Sequence, residues 1–179
     1  MLGTDASVEG LHVTVERAAR GEIAAFAEIV ALHHTDMARV CAVICDDPSV
    51  AEDAVQGAWP IAWRRLGSLR DPSRLRPWLI SIAANEARQL QRRERRRRVV
   101  EIQLAQAPAN SEPEHAAAMI DLEVALGRLT ADERSLLALR FVAELGSEDI
   151  GQALGLSASG ARSRLERLVA RLRTELRDA

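Results

Sequence analysis

Apolar residues return every three or four positions along most of this 179-residue chain, the period of helices that bury one stripe. A short helix is expected over 12–20, HVTVERAAR, ended by Gly21. GEIAAFAEIVALHHTDMARVCAVIC then reads as a long amphipathic helix, with Phe26, Ile29, Val30, Leu32, Met37, Val40, Cys41 and Ile44 on its apolar stripe. It stops at DDPS, where Pro48 and Ser49 suit a turn and a new helix start. The next helix, VAEDAVQGAWPIAWRRL over 50–66, contains a conflict. Gly57 and Pro60 sit inside helical periodicity, and Pro60 removes a backbone donor and crowds the carbonyl of Gln56, so a kink or break is expected there.

GSLRDPSR, residues 67–74, is a loop by its Gly, Asp-Pro and Ser content. A helix then starts near Leu75, with Pro77 in its first turn and an apolar stripe of Trp78, Leu79, Ile82, Ala83, Ala87 and Leu90. Composition changes after residue 100: residues 101–123 hold five acidic residues and no Arg, with Pro108 and Pro113 among them. A second helical unit follows. TADE, Thr130 to Glu133, is a capping-box pattern. SEDIGQALGLSASGARSRLERLVARLRTELR reads as a short helix over 147–154, a tight Gly155-Leu156 turn and a longer helix from about Ser157. That order is what a helix-turn-helix needs, with an ordinary pair of antiparallel helices as the other reading.

The composition agrees with helices. Hydrophobic residues make up 47% of the chain, enough for a core, while aromatics are only 3% and Tyr is absent. The fold class is therefore all-α: two small helical domains joined by a flexible linker, with boundaries at 12–98, 99–118 and 119–179. Cys41 and Cys45 stand one helical turn apart on an apolar stretch. Buried core thiols are the main reading; a redox pair or half of a metal site are the others. No apolar run is long enough for a membrane span, and the N-terminus carries acidic residues without a hydrophobic run, so a cytoplasmic protein is expected.

Charge adds the first functional clue. The formal net charge is only -2, yet residues 88–98 hold seven arginines against one glutamate. No Lys occurs, so every basic contact apart from histidine would be a planar fork suited to phosphate or carboxylate. Three readings stay open for this run: a solvated helix end, contact with nucleic-acid phosphates, or docking on an acidic protein surface. A second basic cluster, Arg162, Arg164, Arg167, Arg171, Arg173 and Arg177, lies on the last helix. Arg162 and Arg164 stand at the start of that helix, the end that enters a major groove in a helix-turn-helix.

Catalysis finds little support. His33-His34, His12 and His115 form no metal-ligand spacing, there is no Gly-rich phosphate loop, and no Ser sits in a nucleophile elbow. Glu52 and Asp53 are adjacent, so on a helix they point about 100° apart. No enzyme activity, cofactor, metal or small-molecule substrate is expected.

The chain resembles bacterial RNA polymerase sigma factors of the extracytoplasmic-function group of the sigma-70 family. The stretches similar to sigma region 2 are GEIAAFAEIVALHH, AEDAVQGAWPIAWRRL and RLRPWLISIAANEARQLQRR. DLEVALGRLTADERSLLALRF and SEDIGQALGLSASGARSRLERLVARLR look like region 4. The resemblance implies binding to core RNA polymerase, recognition of promoter -10 and -35 DNA, and initiation of transcription without catalysis. It puts Asp53, Gln56, Ala62, Trp63 and Arg64 on the helix that meets the clamp helices of the largest polymerase subunit. The loop Gly67–Ser73, with Asn85, matches the place where a flipped -10 base is held. Arg88, Arg92, Arg93 and Arg96 match the side of the following helix that runs along -10 DNA. Ser159, Arg162, Ser163, Arg164 and Arg167 match positions facing the -35 element. Many such proteins are held inactive by an anti-sigma factor, which the resemblance implies as a further partner.

The sequence departs from that pattern at Gly57 and Pro60, in the polymerase-binding helix, and at Gly151, where Ala is usual. Gly160, Ala161 and Arg162 stand where a Thr-Val-Lys-like trio is common. The alternative reading is a helix-turn-helix DNA-binding regulator that does not engage core polymerase. Within the basic run, Arg95, Arg97 and Arg98 are expected to be a frayed, solvated exit from the helix.

Overall fold

The computed structural model describes residues 4–105 and 126–177. Among them every regular element is helical. The order is α1 (Thr4–Ala19), α2 (Ile23–Ile44), α3 (Pro48–Arg65), two 3-10 turns (Leu66–Ser68 and Pro72–Arg74) and α4 (Leu75–Ala105). After the undescribed segment come α5 (Ala131–Leu137), a π-helical turn (Ala138–Val142), α6 (Ser147–Leu154) and α7 (Ala158–Glu175).

Helices α2, α3 and α4 pack on one another around the first core. From α2 it takes Ile29, Met37, Val40, Cys41 and Ile44; from α4 it takes Leu75, Leu79, Ile80, Ala83 and Ala87, all essentially inaccessible to solvent. The inward face of α3 is Ala51, Ala54, Val55, Ala58 and Ala62. Small residues there let two neighbouring helices approach closely, so the large aliphatics of α2 and α4 fill the space. Each of those buried Ile and Leu side chains contributes about 1.5–3 kcal/mol of transfer free energy. Phe26 closes one end of the core, edge-on to Trp59 at 5.8 Å and to Trp63 at 4.8 Å between ring centroids.

Three local expectations need correction. Helix α3 does not break at Pro60 but continues to Arg65. Pro60 and Gln56 are both on the exposed face, so water can satisfy the orphaned Gln56 carbonyl while the buried face on either side holds the helix together. Leu32 is not a core residue: it is 65% exposed, and His33, at 8%, takes the inward place between Ile29 and Met37. Helix α4 runs to Ala105, past the change in composition, so the arginine run is inside the helix.

Gly57 has its only near neighbour in the Oε2 atom of Glu86, 3.7 Å from where a Cβ would stand, an ordinary contact. Gly57→Ala is therefore expected to raise stability by about 1 kcal/mol through helix propensity. A thermal melt should show this as a rise of about 2–4 °C in Tm.

His33 offers a pH handle. Burial pushes its pKa down, Asp36 opposes that shift and Arg76 adds to it, with a net lowering; its Nε2 is buried without a partner. The unfolded chain therefore takes up a proton first on acidification, near its ordinary pKa of about 6.5. Stability should fall as the pH drops through that value and level off below the folded-state pKa. Denaturant melts at pH 7.5 and pH 5 would check this, and His33→Leu should flatten the difference.

Cys41 and Cys45 are free, buried thiols. Their sulfurs lie 3.6 Å from the Ala83 carbonyl and 3.8 Å from the Ala87 carbonyl, toward which each thiol can donate. Burial first, and then neighbouring charge, raises their pKa values to about 12 and about 11, which keeps them protonated and unreactive.

In the second unit the local signals act where the residue pattern puts them. Thr130 Oγ1 accepts from the Glu133 backbone N–H at 3.2 Å, and Glu133 accepts in return from the Thr130 N–H at 2.9 Å, closing the capping box of α5. Gly155 has φ +69° and ends α6 in the left-handed region. The Leu156 N–H then donates to the Gly151 carbonyl at 2.8 Å, and Ser157 Oγ caps α7 by accepting from the Gly160 N–H at 3.0 Å. Ile150 and Ala153 of α6 and Ala161 and Leu168 of α7 are buried. This is a helix-turn-helix. Gly151 sits at its tightest point: a Cβ there would stand 2.8 Å from the Leu156 carbonyl oxygen and 3.2 Å from the Ala158 nitrogen.

The two units also pack on each other. Helix α6 lies against α4, and α5 with its π-helical turn lies against α2 and α4.

Candidate nucleic-acid and polymerase interface

The stripe Asn85, Arg88, Arg92 and Arg96 follows spacings of three, four and four on α4, so these side chains share one side of a rigid helix. Arg93 and Arg96 are exposed and, among the described residues, have no charged partner. Arg88 is mostly covered. Its guanidinium donates to Asn85 Oδ1 at 3.0 Å and pairs with Asp132 Oδ1 of α5 at 2.8 Å. Arg92 reaches the other oxygen of the same carboxylate at 2.5 Å. Partial burial would raise the Asp132 pKa, but the hydrogen bond from Arg92 and the nearby Arg88 charge outweigh it, and the net shift is downward.

The end of the run is not a frayed tail. Arg95 pairs with Asp46 Oδ2 at 3.3 Å and donates to the Leu129 carbonyl at 3.0 Å. Arg98 pairs with Glu94 and with Asp47, and Arg97 with Glu94. Helix α4 passes the acidic α2–α3 turn here, and Asp46 and Asp47 give Arg95 and Arg98 partners that local reading could not supply.

The loop 67–73 is built from the two short 3-10 turns. The Asp71 carboxylate holds the second turn by accepting from the Ser73 N–H at 2.9 Å and from its hydroxyl at 2.6 Å. These two hydrogen bonds come first among the causes that lower the Asp71 pKa. A cleft of about 300 Å³ opens beside this loop. Ser68, Leu69, Arg70, Trp78 and Ser81 line one wall, and Asp149, Gln152 and Ala153 of α6 line the other. Asn85 is not among the cleft residues; it lies further along α4, bonded to Arg88.

On α3, Asp53, Gln56 and Arg64 are exposed on the face that also carries Pro60, while Trp63 is half-buried against Phe26. Ala62 has no accessible surface and belongs to the core. Sequence reasoning missed the pairing of Trp59 with His34, whose rings stack at 6.4 Å with the indole N–H donating to Nδ1 at 3.3 Å. It also missed Gln91, a fully buried amide whose Oε1 accepts from the Asp46 N–H at 3.1 Å. A polar residue on an otherwise apolar stripe was the only signal.

On α7, Ser159, Arg162, Ser163, Arg164 and Arg167 are all exposed. They do not share a face. Arg164 and Arg167 border a cleft with Asp132 and Glu133 of α5, where Arg171 pairs with Glu133 at 2.8 Å. Ser159, Arg162 and Ser163 do not line that cleft.

The two units coincide with two family descriptions. Residues 29–97 match Sigma-70 region 2, and residues 125–174 match Sigma-70 region 4. The RNA polymerase sigma factor CnrH of Cupriavidus metallidurans is 30% identical over 175 residues, spanning 90% of this chain and 91% of its own. The chain belongs to the extracytoplasmic-function sigma factors. It is thus a sigma factor, which binds core RNA polymerase and directs promoter recognition, and it is not an enzyme. CarQ of Myxococcus xanthus is also 30% identical, over 89% of this chain and 93% of its own. A probable sigma factor, RfaY of Xanthomonas campestris, is 32% identical, and the chain spans only 44% of its length.

Solved structures agree. CnrH in complex with the cytosolic domain of CnrY superposes with a TM-score of 0.67 at 25% identity, covering 93% of this chain and 96% of that one. The sigma factor RpoE of Bartonella quintana, in complex with the anti-sigma factor NepR, gives 0.64 at 26% identity, covering 85% and 96%. Among the described residues no helix is long and apolar enough to cross a membrane.

Proposed function

We propose that this sigma factor divides its work between three surfaces. The exposed face of α3, with Asp53, Gln56, Arg64 and the edge of Trp63, meets the clamp helices of the largest polymerase subunit. Ala62 supports that face from inside the core. The arginine side of α4, with Arg88, Arg92, Arg93 and Arg96 beside Asn85, runs along the -10 region and holds phosphates, while the cleft beside residues 67–73 accepts an unstacked base. The exposed face of α7, with Ser159, Arg162 and Ser163, reads the -35 element, and Arg164 and Arg167 contact its backbone.

The observation that carries this reading is a rigid helix with an arginine stripe in region 2, together with a helix-turn-helix whose second helix exposes its first turns in region 4. A continuous α3 supports polymerase binding over the alternative of a regulator detached from polymerase. An anti-sigma partner is proposed because RpoE, a structural neighbour, was solved with one. The site of action would be the cytoplasm, where polymerase and promoter meet.

The test is a pull-down with core polymerase followed by run-off transcription on a library of promoter fragments. Retention of the chain on core and initiation from templates sharing two spaced elements are expected. A folded chain that binds duplex DNA but never core would instead establish the detached regulator.

A further inference from the structure

The loop between α3 and α4 has a cavity on each side. The first is the cleft of about 300 Å³ that it shares with α4 and α6. The second, of about 440 Å³, opens between the same loop and α1, and none of its lining residues belongs to α4. Leu69, Arg70 and Asp71 line both, so the loop is a thin partition between two recesses. In the second recess Val15, Leu66 and Pro72 supply apolar lining, while His12 and Glu16, four positions apart on one face of α1, supply ring and charge. Of the polar groups there, the Asp71 carboxylate is committed to the fold, accepting from the Ser73 N–H and hydroxyl. Glu16 is exposed and held only by a long pair with Arg20 at 3.8 Å. Arg70 is exposed and has no acidic partner among the described residues. His12 is half-buried with Nε2 turned inside and unpartnered, so it meets the recess as a ring rather than through that nitrogen. An apolar lining, a flat ring, a guanidinium and an uncommitted carboxylate are the parts that hold an unstacked base and its phosphate. A carboxylate only accepts, so it selects a base with an exocyclic amino group, adenine or cytosine.

We infer that the recess between α1 and the loop is a second base pocket, taking the nucleotide next to the one held in the first cleft and selecting adenine or cytosine through Glu16. This rests on the reading of the first cleft as a base site. A single strand following the arginine side of α4 reaches the first cleft at Ser81 and Trp78 and, across the partition, the second at His12 and Glu16. Two neighbouring bases then part to opposite sides of the loop, and Arg70 holds the phosphate between them. Helix α1 lies outside residues 29–97, the stretch that matches region 2. It thereby gains a role in reading the promoter beside its packing on α2.

The test uses holoenzyme reconstituted from core polymerase and the full chain, transcribing a promoter library randomised across the -10 region, with transcripts counted template by template. Glu16 is exposed, so Glu16→Gln and Glu16→Arg leave the core alone. Glu16→Gln is expected to relax the preference for adenine or cytosine at one position. Glu16→Arg should turn it toward guanine or thymine, whose O6 and O4 accept, by about tenfold. Every other position should keep its preference. His12→Ala should lower initiation from all templates about tenfold, the scale of one stacked base, and His12→Phe, which keeps a ring, should restore it. Ser81→Leu crowds the first cleft alone and marks the position read there, expected to be the immediate neighbour of the Glu16 position. Unchanged preferences in both Glu16 variants would overturn the proposal, as would a change at a position not adjacent to the one that Ser81→Leu marks. A uniform rise over all templates would also overturn it, since Glu16 would then only repel DNA. If Ser81→Leu alters no preference while Glu16→Arg reverses one, the first cleft is misread and the second pocket stands, so the two ideas fail separately.

Discussion

Replacing Arg88, Arg92, Arg93 and Arg96 together by Ala is expected to weaken promoter engagement by the holoenzyme on the order of a hundredfold at physiological salt. Each phosphate contact contributes about 0.7–0.9 to the slope of log affinity against log salt concentration. Four lost contacts lower that slope by about 3 and remove the corresponding attraction at 0.15 M. Open-complex formation measured across a salt series is the check. Arg17→Ala with Arg20→Ala removes charge at the end of α1, where Arg17 pairs with Glu22 and Arg20 with Glu16, and should leave the slope unchanged. The quadruple variant should remain folded. Among the described residues only Arg88 and Arg92 of the four have an ion-pair partner, and both meet the same half-exposed carboxylate of Asp132, where such pairs contribute about 0–1 kcal/mol each. An unaltered salt slope would mean that the run serves the fold or a protein partner.

Gly151→Leu is expected to disable region 4. Its Cβ would collide with backbone, 2.8 Å from the Leu156 oxygen and 3.2 Å from Ala158 N and Ser157 C, so no side-chain rotation relieves the clash. The start of α7 must move, and with it the cap at Ser157 and the buried contacts of Ala161. A cost of about 3 kcal/mol is expected for such overpacking, read as a fall of about 6–12 °C in Tm. Transcription from promoters that need the -35 element should be lost. Gly160→Ala makes the contrast: its new Cβ would meet only the Ser157 hydroxyl, at 3.0 Å, a side chain able to turn aside at the cost of its capping bond. That change should cost about 1 kcal/mol. If Gly151→Leu melted with the parent, the close approach of α6 to α7 would be misdescribed.

The reasons these two sites differ also mark what could be read locally. Thr130 and Glu133 cap α5, Gly155 ends α6 and Ser157 starts α7 because each acts through neighbours within about four positions. Helix starts near Leu75 and Ser157, the apolar stripes and the helix-turn-helix were legible for the same reason. Leu32 and His33 were not distinguished, since adjacent positions on α2 differ by 100° and only the placement of α3 and α4 decides which one faces inward. No break occurs at Pro60, because the buried alanines hold α3 on both sides, a tertiary contribution that local propensity omits.

For the candidate site, the residue types and their helical faces were present in the sequence: seven arginines within residues 88–98, an acidic pair at Asp46-Asp47, and polar residues at the start of the last helix. The sequence by itself determined an all-helical, two-unit chain of the sigma class, because caps, periodicity and motif spacing are short-range quantities. Only the tertiary structure decided which arginines are free and which are taken. Arg88 and Arg92 meet Asp132 about 40 positions away, and Arg95 meets Asp46 at a similar separation. Electrostatic pairing depends on distance in space, which chain order does not encode, so these pairings could not be read from residues in a row.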